Sequence, residues 1–234
     1  MCSSGREARE EGLGDCEPRR DDIRPPSRSE NSNPPSFVGK ILPMKNIAQF
    51  RFFCSHNAFD LYDAQNDPLD LPVDINFPTS KQLQLGWYRR GDSICYRTVS
   101  WSNDHRIDIT TSKSAPKLDK ADRLLAHNLS FPTGQLTIFA LDTGKSVSIK
   151  PGDYTVYCRE FNLGLYTMER LLDRDFLARN DLERYQLILV PGSVKNQGVI
   201  AGPPTLEPFQ KRFADIWNKS VLKKKLRQEY GTSE

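Results

Sequence analysis

Between Phe50 and Gly192 apolar and polar positions alternate in short runs. "FRFFCSH" and "AFDLYD" open the series, and "ICYRTVS", "RIDITT", "RLLAHNLSF", "QLTIFALD", "SVSIK", "YTVYCREF" and "YQLILVPG" continue it. Each run shows period-two alternation or unbroken β-branched and aromatic content, with Gly, Pro, Asn or Asp in the gaps. Eight or nine strands at a spacing of roughly 8 to 12 residues predict a mainly β protein, an antiparallel β-sandwich. The most regular stretch, "SVSIKPGDYTVYC" at 146–158, reads as a hairpin. Its turn has Pro151 to preset the torsion at i+1 and Gly152 to accept positive φ at i+2. "TMERLLDRDFLARNDLERY" breaks the period and predicts a short helical insert.

The two ends of the chain have other patterns. Residues 1–45 are rich in Pro, Ser, Gly and Glu, with "RPPSRSENSNPPS" at their centre, and offer little apolar surface against the entropy of ordering. They are expected to be a disordered tail. The sandwich is expected over 46–195 and a linker over 196–204, within "SVKNQGVIAGPP". Over 205–234, Phe209, Phe213, Ile216, Trp217, Val221 and Leu222 recur at helical spacing, with Pro208 suited to a first turn. This predicts a basic amphipathic C-terminal α-helix.

Charge is unevenly spread. The head carries eight basic and eight acidic residues, the middle balances, and the whole excess of +3 sits in the last thirty residues. That is no nucleic-acid-binding composition, so no direct contact with nucleic acid is expected. Lys223, Lys224, Lys225 and Arg227 fit a nuclear-import cluster, or cations favourably placed at a helix C-terminus. The start lacks the apolar stretch of a secretory signal, and no uncharged run is long enough to span a membrane. Five cysteines without framework spacing read as reduced thiols. The expectation is an intracellular protein, cytoplasmic or nuclear, with no membrane partner.

Catalytic signatures are missing: no nucleophile elbow, phosphate-binding glycine loop or HExxH occurs. His56, His105 and His127 lie far apart without metal-ligand spacing, and Cys95 and Cys158 fall inside strand patterns as small apolar residues do. No enzyme, metal or cofactor is expected. One charge pattern remains. From Phe52 to Ser80 the chain has Asp60, Asp63, Asp67, Asp70 and Asp74 and no Lys or Arg. The loop lacks the alternate oxygens and glycine of a calcium-binding hand. It reads either as a solvated loop with turn-capping aspartates or as carboxylates offered to a basic protein surface in place of phosphates.

A resemblance bears on that choice. "FRFFCSHNAFDLYD", "GWYRRGDSICYRT", "LSFPTGQLTIFA", "VSIKPGDYTVYC" and "NDLERYQLILVPG" follow one another in an order that resembles the bacterial competence protein ComJ family, the DNA-entry nuclease inhibitors. The matching positions are Gly91, Ile94 and Tyr96, then Phe131 and Pro132. Ile149, Gly152, Tyr154, Val156 and Cys158 come next, and Tyr185 and Ile188 close the set, all within 47–195. The resemblance implies a non-catalytic protein whose partner is a nuclease. Asp60, Asp63, Asp67, Asp70 and Asp74 would approach the partner's cationic site, with Tyr62 and Trp87 as aromatic anchors. The other reading is an intracellular β-sandwich adaptor or ligand-binding module, acting through a sheet face or the C-terminal helix.

Overall fold

A computed structural model describes residues 44–54, 56–66, 78–101, 103–140, 143–167 and 171–230, the side chains of the last helix as far as Leu222. The described residues form two stacked sheets. In chain order the strands are β1 (Lys45–Cys54), β2 (Ala58–Asp63), β3 (Trp87–Arg90), β4 (Ser93–Arg97), β5 (Asn103–Thr111), β6 (Arg123–Phe131), β7 (Gln135–Ala140), β8 (Thr143–Ser148), β9 (Gly152–Phe161), β10 (Arg184–Pro191) and β11 (Gly198–Ala201). One sheet has the order β1-β5-β10-β9-β6-β11, the other β3-β4-β2-β7-β8. Every neighbouring pair is antiparallel except β5 and β10, which run parallel.

Side-chain alternation explains the stacking. Val156 and Cys158 of β9, Leu187 and Leu189 of β10 and Ile107 and Ile109 of β5 point from one sheet into a core shared with Phe59 and Leu61 of β2, Ile94 and Tyr96 of β4 and Leu136 and Ile138 of β7. The intervening positions of β9 are buried as well, because the loop after β5 covers the outer face: Arg159 donates to the carbonyl of Lys117, and Leu118 packs against the small cluster of Leu124, Ala126, Tyr157 and Ile188.

Two local expectations are corrected. Residues 146–158 are no hairpin. β8 pairs with β7 and β9 with β6 and β10, so Pro151-Gly152 is a corner that carries the chain from one sheet to the other. The stretch expected as a linker contains β11, whose pairing with β6 extends the larger sheet. The predicted insert yields one short helix, α2 (Asp173–Ala178), anchored by buried Phe176 beneath the Arg51 guanidinium. A helix that pattern reading overlooked, α1 (Ser80–Leu85), begins at Thr79. There the Gln82 amide donates to the threonine hydroxyl, and the Gln82 side chain accepts from the Thr79 amide. The sequence-based head, residues 1–45, lies outside the described residues but for Met44 and Lys45.

The C-terminal helix, α3 (Glu207–Tyr230), docks by its beginning. Leu206 and Phe209 are buried, and the Arg212 guanidinium donates to the carbonyl of Leu163. Gly164 makes this docking possible: its φ is +81°, and a Cβ there would stand 2.6 Å from the Phe209 carbonyl oxygen. Gly164→Ala is expected to push the first turn of α3 off the sandwich. The check is faster amide exchange across 206–213 with a lowered Tm, whereas the neighbouring surface change Lys211→Ala should alter neither.

Candidate functional site

The acidic segment starts inside the sandwich. Asp63 ends β2 fully buried: one carboxylate oxygen accepts from the Gln65 amide at 3.2 Å, the other from the Thr133 amide at 3.1 Å and hydroxyl at 2.8 Å. It therefore clamps the corner between β6 and β7. Asp60, on the same strand, is buried with its carboxylate 3.7 Å from the Arg90 guanidinium. Tyr62 is buried too. Trp87 is half-buried, its ring 4.4 Å from that of His127 and packed over Gly198. Of the residues expected to face a partner, Asp60, Asp63 and Tyr62 are thus buried in the fold and Trp87 is half-buried. Asp67, Asp70 and Asp74 lie outside the described residues.

The segment leaves the sandwich beside a cleft of about 520 Å³ at one end of the stacked sheets. Gln65 and Asn66 form one wall, and Asp92, Asn128, Ser130 and Asp153 others. Asp92 on the β3–β4 turn and Asp153 at the start of β9 are exposed. The Arg89 guanidinium also lines the cleft but is held by the Asn128 carbonyl at 2.7 Å and the Gln197 side chain. The Asn128 side chain in turn donates to the Val194 carbonyl and accepts from the Val194 amide. The rim is thus a rigid polar lattice with exposed carboxylates on it. Pattern reading missed Asp92 and Asp153, which 61 positions separate in sequence.

The opposite end holds a sealed polar cluster. Glu183, just before β10, accepts from the amides of Val99, Ser100 and Gly164 and from the hydroxyls of Ser100 and Tyr185, at 2.5 to 3.0 Å. His105 stands 3.8 Å from it, and burial chiefly lowers the His105 pKa, against the pull of Glu183 and Asp104. Burial, with a smaller push from Arg89, takes His127 down to about 3. A histidine and carboxylate so close resemble a catalytic pair in type. Both are closed off from solvent, and the carboxylate's bonds tie loops together. Beside them the Arg123 guanidinium lies 3.2 Å from Glu160 with both side chains fully buried, and donates to the Leu85 carbonyl at the end of α1. Burial raises Glu160 to about 7, more than Arg123 lowers it. Among the described residues no cluster of His, Cys, Asp or Glu is arranged to hold a metal ion. No described helix is long and apolar enough to cross a membrane.

Comparison with known proteins finds likeness in structure only. No family model and no curated protein matches the chain. Two solved structures resemble it. ComJ from Bacillus subtilis, inhibitor of the DNA degrading activity of NucA, superposes with a TM-score of 0.49 and 12% identity over 64% of this chain and all of its own. The product of crocagin biosynthetic gene J gives 0.45 and 14% over 65% of this chain and all of its own. Both likenesses are of fold.

Proposed function

We propose that this chain is a non-catalytic β-sandwich binding protein, and that its carboxylate-bearing end seats on a cationic patch of another protein. A nuclease surface that normally receives phosphate is the chemistry that fits, as the resemblance to the ComJ family implies. One observation carries the reading. A 29-residue stretch free of Lys and Arg has its first two aspartates inside the fold, and its described part ends, at Gln65 and Asn66, on a rim that exposes Asp92 and Asp153; Asp67, Asp70 and Asp74 follow in the sequence. Charges of one sign gathered at a surface speed encounter with an oppositely charged partner and make binding salt-sensitive.

The triple variant Asp67→Asn, Asp70→Asn, Asp74→Asn is expected to lose salt-sensitive capture of a nuclease, with at least a tenfold weaker Kd in calorimetry. Adding Asp92→Asn and Asp153→Asn should weaken it further. Asp63→Asn should behave differently, lowering Tm while leaving affinity in place, since its bonds hold a corner. Unchanged affinity in the triple variant would sink the proposal.

A second reading, an adaptor acting through α3, is favoured by the exposed rings around Trp217. Truncation separates the two. Removal of residues 205–234 would strip Leu206 and Phe209 from the core, so the cut belongs after Ala214, which keeps both and removes Trp217. Capture that survives this cut speaks for the acidic end; capture lost with it speaks for the helix.

A further inference from the structure

The side of α3 that meets the sandwich is buried at Leu206 and Phe209, half-buried at Phe213, and open beyond. Trp217 is 45% exposed and Val221 43%, while Trp101, between β4 and β5, is 70% exposed. Their rings are not scattered. Phe213 and Trp217 stack with centroids 6.1 Å apart, Trp101 lies 6.2 Å from Phe213, and Tyr166 backs both helix rings at 5.2 and 6.0 Å. Trp101, Phe213 and Trp217 wall an apolar groove of about 330 Å³, lined also by Val99 and by the amide side chains of Gln210 and Asn218.

Past the groove the helix becomes charged. Lys219, two residues after Trp217, is exposed, and the sequence adds Lys223, Lys224, Lys225 and Arg227 after it. Seven basic residues against three acidic ones make α3 cationic, and five of the seven come after Trp217. Apolar anchorage comes first, then positive charge.

The geometry points to a docking site for an acidic peptide segment of a partner protein. A bulky apolar or aromatic side chain would fill the Trp101–Phe213–Trp217 groove, and neighbouring carboxylates would be drawn to exposed Lys219 and to the positive charge of this part of the chain. This site stands apart from the acidic end of the sandwich and does not depend on it. Charge order argues for a peptide over single-stranded nucleic acid. Phosphates accompany every base and call for cations among the stacking rings, but the charges between Phe209 and Trp217 are of both signs, with Asp215 in their midst. A membrane surface fits less well. Exposed Leu222 lies about 140° around the helix from Trp217, so the apolar residues do not form the single stripe of an interfacial helix.

The test is a displayed library of random twelve-residue peptides, selected against the full chain. Selected sequences are expected to pair Phe, Trp or Leu with two or more Asp or Glu. As synthetic labelled peptides they should bind at least tenfold more weakly to Trp101→Ala with Trp217→Ala, and severalfold more weakly to Lys219→Gln with Lys224→Gln and Lys225→Gln, or in 0.5 M salt. Trp101→Ala alone, at so exposed a site, serves as the variant that keeps the fold, verified by an unchanged melting curve. No acidic enrichment, or peptides indifferent to Trp101→Ala, would overturn the proposal. So would an oligo-dT strand or a phosphatidylserine vesicle that binds through the two tryptophans more tightly than every selected peptide.

Discussion

Glu183→Ala is expected to cost about 3–5 kcal/mol. The carboxylate is buried and accepts five hydrogen bonds from three separate stretches: the 99–100 turn, Gly164 and its own strand at Tyr185. Alanine would leave three amides and two hydroxyls buried without acceptors. For a domain of this size the loss is a fall in Tm on the order of 10 °C. Glu183→Gln should fall between the two, because one oxygen would become an NH₂ facing backbone donors. Amide exchange identifies the cause. Protection at Val99, Ser100 and Gly164 should drop in both variants before the core strands are affected. Uniform loss of protection across the chain would mean that Glu183 acts through global stability alone.

The second large effect concerns the buried pair in the same region. Arg123→Met should cost about 3–5 kcal/mol, because it leaves Glu160 buried without its counter-charge and the Leu85 carbonyl without its donor. Replacing both members, Arg123→Met with Glu160→Met, should recover much of that, since apolar groups of similar volume often match a buried pair in stability. A double-mutant cycle reads the coupling, and additive losses would refute it.

The pH dependence of this pair has a defined sign. The folded protein holds Glu160 at about 7, above its ordinary 4.5. Folding therefore favours the protonated acid, and its contribution is complete below the ordinary value and lost as pH rises through 7. Stability measured from pH 5 to 8 should include this falling component in the native chain and lack it in Glu160→Gln. In Arg123→Met the fall should extend to higher pH, because the charge that lowered Glu160 is gone.

Much of the fold could be read from alternation. The boundaries of β6 coincide with "RLLAHNLSF", and β9 with a run whose inward residues, Val156 and Cys158, had the right period. Pairing was another matter. Alternation gives a strand its two faces but not its partner, so β8 and β9 looked like a hairpin although they belong to different sheets. The same limit hid the parallel β5–β10 pair. β11 is four residues between glycines, too short for a period to show, and α1 has no buried residue to reveal it. The candidate site was legible only as a bias in charge. Nothing in "DLYD" distinguishes an aspartate that clamps Thr133 from one that meets a partner, because the difference lies in a corner 70 residues away. Asp92 and Asp153 escaped for the same reason.

The parallel pair has a consequence for synthesis. The smaller sheet draws all its strands from residues 58–148 and can pair as soon as these leave the ribosome. The larger sheet cannot. Its β1–β5 ribbon has no hydrogen-bonded route to β9 until β10, at 184–191, is inserted between them. Nascent chains arrested before that point would therefore hold β1–β5 apart from β9 and β6, with an open strand edge on either side of the gap. Assembly of the larger sheet must wait for a segment made after every strand of the smaller one.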